Sequence, residues 1–215
     1  MSYFPLFFMV LTGFLCLPVS PACAQSPVHI LAFGDSLTAG YGLVASQSFA
    51  AQLETTLQDQ GYAVRVTNAG VSGDTTSDGL SRIDWSLEDK PDLVILELGA
   101  NDGLRGLKPE PMRKNLEAMI VKFHEVGAKV ILAGMQAPSN WGPLYQRGFG
   151  RVFPELAKKY KLSLYPFFLE GVISDPALLL DDGLHPNAKG VAKIVKGILP
   201  VVEKELKAWP ESKSN

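Results

Sequence analysis

Cysteine is almost missing from this chain. Its two cysteines, Cys16 and Cys23, both fall within residues 1–24, a segment that also contains no Lys, Arg, Asp or Glu. The apolar run from Phe4 to Leu17 is shorter than the roughly 20 residues a membrane-spanning helix needs. Pro18 ends it, and Ala22-Cys23-Ala24 has the small-x-small form of a signal-peptide cleavage site. Residues 1–24 are therefore read as a secretory signal peptide cut after Ala24, and 25–215 as one domain in the periplasm or outside the cell. The mature chain then has no cysteine, which excludes a disulfide scaffold, a thiol nucleophile and a thiolate metal site. It also keeps no membrane span.

Charge of one sign is missing too. Lys and Arg number 20 against 22 Asp and Glu, a formal net charge of -2, so no polyanionic partner is advertised. Aromatic residues are not interleaved with basic ones, and nucleic-acid binding is not expected. Two common nucleotide motifs are absent as well. "GDSLTAG" lacks the Gly-Lys-Ser/Thr end of a phosphate loop, and Gly34, Gly40 and Gly42 miss the spacing of a dinucleotide fingerprint. What remains, 47% hydrophobic and 20% charged residues, is the composition of a packed globular domain.

From Val28 onward, strand-like and helix-like segments alternate. "VHILAF", "PDLVILEL" and "AKVILAGM" are short apolar runs of the kind that form central parallel strands. "AVRVTNAG" and "KLSLYPFF" read as further strands. Between them, "SFAAQLETTLQDQG" is amphipathic, and Met112, Leu116, Met119, Phe123 and Val126 recur at helical spacing. The stretch 140–161 is expected to be helical in its second half, and 187–209 to be a helix with Pro200 as its kink point. This alternation predicts a doubly wound α/β fold. In such sheets, sites form beyond the carboxyl ends of the strands. The loops "GDSLTAG", "AGVSGDT", "GANDGLRG" and "MQAPSNWG" would all lie there.

Histidine is scarce as well, with three in the chain. His29 lies inside the first strand and His124 beside a helical stripe, both structural or surface positions. His185 differs, because "LLLDDGLHPNAKG" places Asp182 three residues before it. A turn through Gly183 and Leu184 brings that carboxylate to the imidazole, where it would fix the tautomer. Ser36, ending the first strand, is either a helix cap or a nucleophile; its flanks are not the Gly-x-Ser-x-Gly elbow. A nucleophile needs donors for an oxyanion. The backbone N–H groups of Ser36 and Gly73 and the side-chain amide of Asn101 would supply them.

"GDSL", "GVSGD", "GAND" and "DDGLHP" resemble, in order, the four blocks of the SGNH (GDSL) hydrolase superfamily, over about Val28 to Val202. The longer strings "FGDSLTAGYG", "AGVSGDTTSDGLSR" and "LELGANDGLRG" look like its bacterial periplasmic thioesterase, lysophospholipase and arylesterase branch. The resemblance implies a three-layer α/β/α flavodoxin-like fold around a mostly parallel five-stranded sheet. It implies a catalytic Ser36, His185 and Asp182, an oxyanion hole from Ser36, Gly73 and Asn101, and no metal or cofactor. Its substrates are acyl esters, thioesters or lysophospholipids, and the expected state is a monomer. The segment Gly103–Lys108 matches the part of the family that moves when an acyl chain binds. Ala100 stands where relatives often carry a second glycine.

Gly103, Leu104, Arg105, Leu107, Trp141 and Leu144, with Tyr145 and Phe149, are read as a substrate groove formed by the loops after the third and fourth strands. Three alternatives remain open at this level. One is a carbohydrate O-acetyl esterase of the same superfamily, and another is a non-catalytic secreted binding module. The third is a metal-dependent hydrolase built on Asp74, Asp102, Asp182 and His185.

Overall fold

The computed structural model describes Met1 and residues 26–209, so the expected signal peptide and its cleavage site lie outside the described residues. The central strands follow directly from composition. β1 (Val28–Gly34), β3 (Leu93–Glu97) and β4 (Lys129–Ala133) are nearly unbroken buried aliphatic runs, as strands covered on both faces must be. β2 (Val64–Gly70) and β5 (Ser163–Tyr165) close the two margins, and β2 accordingly has only Val64 fully buried. The order is β2-β1-β3-β4-β5 and every pairing is parallel. The sheet is thus wholly parallel rather than mostly so.

Helices α2 (Phe49–Asp59) and α7 (Ala188–Lys207) pack together as one layer. Helices α3 (Thr76–Leu87), α5 (Pro109–Glu125) and α6 (Gly142–Tyr160) pack in series as the other. Two single-turn helices, α1 (Ser36–Ala39) and α4 (Ala100–Leu104), follow β1 and β3 directly. The core runs through all three layers. Phe33 meets Phe123 edge-on at 5.6 Å, and Phe49 meets Phe168 at 5.0 Å, separations at which aromatic pairs add to area burial.

Three local details differ from the sequence expectation. Helix α6 fills almost the whole of 140–161, because Gly142 at φ +80° starts it early and Pro143 fits its first turn. On α5 the buried stripe takes Ile120 in place of Val126. Val126 is the C-cap residue and 42% exposed, since the chain turns away at Gly127, φ +82°. Helix α3 has no counterpart in the hydrophobic pattern. Its signal is a capping box, in which Thr75 and Asp78 satisfy each other's backbone N–H groups. Helix α7 begins after its cap, Asn187, and continues through Pro200.

The helix layers meet the strand ends closely at Gly70. A Cβ there would lie 2.2 Å from the Ala39 nitrogen and 2.8 Å from the Asp35 carbonyl oxygen, both main-chain atoms that cannot swing aside. Gly70→Ala is expected to cost about 1–3 kcal/mol of stability by overpacking, read from urea unfolding. An unchanged unfolding midpoint would show that β2 and the α1 turn are not this tightly apposed.

Candidate active site

Parallel register places the ends of β2, β1 and β3 side by side, with Gly34 opposite Gly70 on one flank and Glu97 on the other. The loops that leave these ends carry three of the four motif blocks. Ser36 is the first residue of α1, and the cap of that helix is Asp35, whose carboxylate accepts from the Leu37 N–H at 3.0 Å. The capping role considered for Ser36 therefore belongs to its neighbour. This leaves the Ser36 hydroxyl to meet Nε2 of His185 at 2.9 Å.

His185 comes from the loop before α7. Its Nδ1 lies 2.6 Å from Oδ2 of Asp182. The other carboxylate oxygen accepts from the backbone N–H groups of Leu184 and His185 at 2.9 and 3.0 Å, with Gly183 at φ +66° making the turn. These two N–H bonds and the imidazole hold the Asp182 carboxyl down to about 2. Tyr41 stacks on the imidazole with ring centroids 4.4 Å apart.

Asn101 sits in the first turn of α4. Its Nδ2 donates to Oδ2 of Asp35 at 3.2 Å and to the Asp74 carbonyl at 2.9 Å. Asp102, beside it, accepts from the backbone N–H and the hydroxyl of Thr76 at 2.8 and 2.7 Å. Asp74 binds Arg82 through Nε at 2.6 Å, and the same guanidinium donates to the Gly34 carbonyl at 2.9 Å. Asp74 and Asp102 are thus committed to cross-links between loops. Among the described residues no three His, Cys, Asp or Glu side chains group as a metal site would require.

Gly73 is exposed at φ +88°, a conformation that favours glycine. Its carbonyl accepts from Arg105 at 2.9 Å. Beneath Ser36, Asp35 and Glu97 are fully buried. Burial raises the Asp35 carboxyl to about 7, and burial together with the neighbouring Asp35 raises Glu97 well above the usual carboxylate range. Burial raises Asp102 as well.

Ser36, Asn101 and His185 open onto one cavity of about 640 Å³. Its apolar wall comes from Leu37, Leu104, Met135, Ala137, Phe167, Leu169 and Ile173. Of the residues read from sequence as a groove, Leu104 lines this cavity. Gly103, Arg105, Leu107, Trp141 and Leu144 do not. Arg105 is held at Gly73, and Gly103 packs on Phe149, which is itself buried in the core. The Tyr145 hydroxyl donates to the Leu107 carbonyl at 2.7 Å, and Trp141 covers Gly106. These side chains brace the outer surface of the 103–108 segment, while Leu144 is 75% exposed.

Sequence reading missed the far wall of the cavity, Phe167, Leu169 and Ile173. Applying the strand-end rule to the short β5 would have found it. Ala100 also lines the cavity. His29 lies at the opposite end of the sheet, where its ring contacts Thr67 and the Asp89 carbonyl, and His124 is exposed.

A family model described as GDSL-like Lipase/Acylhydrolase matches residues 32–193. The chain belongs to this family. It is a hydrolase of acyl esters. Esterase TesA of Pseudomonas aeruginosa is 42% identical over 198 residues, covering 91% of this chain and 97% of that protein. Thioesterase 1/protease 1/lysophospholipase L1 of Escherichia coli is 37% identical over 186 residues, covering 86% and 84%. A crystal structure of TesA superposes with a TM-score of 0.78 at 43% identity, over 82% of this chain and 98% of that one. Across the described residues no helix is long and apolar enough to cross a membrane.

The Asp182 carboxyl gives a direct check on the His185 loop. Its depressed folded value means that its hydrogen bonds stabilise the loop fully above the ordinary aspartate range near ~3.9. That contribution is lost as pH falls through about 2. Carboxyl NMR should find Asp182 titrating near about 2; an ordinary aspartate midpoint would show that the N–H bonds do not persist.

Proposed function

We propose that this member of the acylhydrolase family cleaves carboxylic ester and thioester bonds through an acyl-enzyme on Ser36. The observation that carries the reading is an unbroken hydrogen-bonded chain, Asp182 to His185 at 2.6 Å and His185 to Ser36 at 2.9 Å, at the mouth of an apolar cavity. His185 Nε2 takes the hydroxyl proton as Oγ attacks the acyl carbonyl, and Asp182 stabilises the imidazolium formed. The carbonyl oxygen, now an oxyanion, takes hydrogen bonds from the Ser36 and Gly73 N–H groups and from Asn101 Nδ2, which exchanges one of its two bonds, to Asp35 or to the Asp74 carbonyl, for this one. Collapse breaks the bond to the alcohol or thiol, which leaves with the proton from His185. Water then repeats the sequence and regenerates the serine.

The cavity wall suits an acyl chain. Leu104, Met135, Phe167 and Ile173 present hydrocarbon and one thioether where the chain would lie, and burying each methylene there gains about 0.8 kcal/mol. A cavity of about 640 Å³ favours chains longer than acetyl, and lysophospholipids belong to the same substrate class. The site is complete within one chain, in keeping with a monomer. We read residues 1–24 as the signal peptide that exports the enzyme to the periplasm or beyond.

Ser36→Ala is expected to lower kcat by about 10⁶-fold, as removing one member of a coupled triad does. Near-wild-type hydrolysis of p-nitrophenyl esters by that variant would sink the assignment. Asn101→Ala should lose roughly 10²–10³-fold in kcat. Across a series of p-nitrophenyl esters, kcat/KM should rise beyond acetyl, and an acetyl-only profile would count against the acyl-chain reading.

A further inference from the structure

Glu97 is the last residue of β3 and its side chain is fully buried, the only glutamate so placed among the described residues. Its Oε2 accepts from the Thr38 hydroxyl at 2.7 Å and, at a longer 3.4 Å, from the Asp35 N–H. Oε1 has no hydrogen-bond partner, and no cationic side chain pairs with Glu97 among the described residues. The charged neighbour is another acid, Asp35. An ionised carboxylate here would be desolvated beside a like charge with nothing to compensate it, a cost far above that of one unmade hydrogen bond.

The fold is shaped around this carboxyl. A Cβ on residue 34 would fall 2.1 Å from the Thr38 hydroxyl oxygen and 2.5 Å from Glu97 Oε2, so Gly34 leaves the room in which they meet. The turn so fastened, Gly34 to Thr38, carries Ser36. Asp35, on the same turn, has the better set of donors for a negative charge, namely the Leu37 N–H and the Asn101 amide.

From these contacts we infer that Glu97 is a positioning residue that works as an uncharged acid, pinning the Ser36 turn to β3 and leaving the negative charge to Asp35. One proton is thus divided unequally between two acids. Glu97 keeps it, and Asp35, the first of the two to ionise, ties the Ser36 helix to Asn101. This rests on the reading of Ser36 as nucleophile.

A pH dependence follows. Raising pH until Glu97 ionises would place a second charge beside Asp35 and loosen the turn. The other titratable or charged groups facing the pair are Asp74, from the loop before α3, Arg82, from within α3, and His185, from the loop before α7. Arg82 is engaged by Asp74 and the Gly34 carbonyl, so it does not neutralise the pair.

Two measurements test the inference. Infrared difference spectra of wild-type protein with and without ¹³C-labelled glutamate should show, at neutral pH, a protonated-carboxyl band that shifts with the label. Its absence would overturn the proposal, and this reading needs no variant and no assignment of Ser36. Kinetically, Glu97→Leu should lower kcat by roughly 10- to 100-fold, the cost of a displaced reacting group, with KM little changed. Glu97→Gln, uncharged at every pH, should recover most of that loss. It should also lack the alkaline decline in kcat expected of wild type. A folded Leu variant with wild-type kcat, a Gln variant as impaired as Leu, or an identical alkaline limb in Gln and wild type would each overturn it. Should the Leu variant fail to fold, the Gln comparison and the infrared band still decide. Activity surviving in Ser36→Ala, with the band present, would indict the nucleophile and not Glu97.

Discussion

Parallel pairing of β1 between β2 and β3 is the constraint on which the site depends. It brings three chain ends, Gly34, Gly70 and Glu97, into adjacent register, so the three loops that leave them have no choice but to meet. Proximity is not yet precision, because loops are ordinarily the mobile part of a fold. Precision comes from a ring of hydrogen bonds in which each loop holds the next. Asp35 of the first loop grips Asn101 of the third, Asp102 of the third grips Thr76 of the second, and Asp74 of the second reaches Gly34 of the first through Arg82. Here they convert three loops into one rigid rim.

The fourth motif block is held differently. Asp182 and His185 are three residues apart on one loop, and the loop closes on itself through two backbone N–H bonds to the carboxylate. Asn187, two residues on, caps α7 by accepting from the Lys189 and Gly190 N–H groups. The dyad therefore enters the site as a preformed unit, fixed to the start of a 20-residue helix. It docks against the rim through the hydrogen bond between His185 and Ser36, with Tyr41 lying against the imidazole from the Ser36 side. Two units held separately in this way would arrive with their groups already oriented, which is the geometric content of preorganisation.

Legibility in the sequence followed the range of the interactions. The strands and their parallel arrangement were readable because buried aliphatic runs such as "LVILEL" are set by local composition. The Asp182–His185 pair was readable because its members are only three positions apart. Asp35 as helix cap, and Glu97 beneath it, were not. Asp35 sits beside a more conspicuous serine, and Glu97 is one carboxylate at the end of an apolar strand, with meaning only through Thr38, 59 positions away. Most of the cavity wall was hidden for a related reason. Trp141, Tyr145 and Leu107 cluster as expected for apolar loop residues, yet they satisfy one another and Gly106, leaving the cavity wall to Phe167, Leu169 and Ile173 from the turns that follow a strand of three residues. Polarity can be read from a single position, whereas which apolar surface is left over after packing cannot.

That distinction bears on how the site divides its labour. The groups that would touch substrate are half-buried or exposed and drawn from loops, as Ser36, Gly73, Asn101 and His185 are. The groups that hold them are buried, and several are acids in surroundings that raise their affinity for protons. An acid kept neutral by burial can fix a turn without adding a field. Asp182, at the solvent edge, keeps its charge down to about 2 and supplies the field that an imidazolium requires. On the mechanism proposed for Ser36, a charged carboxylate outside and a neutral one underneath would let His185 gain a proton during attack while the charge below Ser36 stays confined to Asp35, which is bonded to Asn101. A second ionised acid under the nucleophile would oppose the developing oxyanion at close range, so the burial of Glu97 serves the same electrostatic end as the exposure of Asp182.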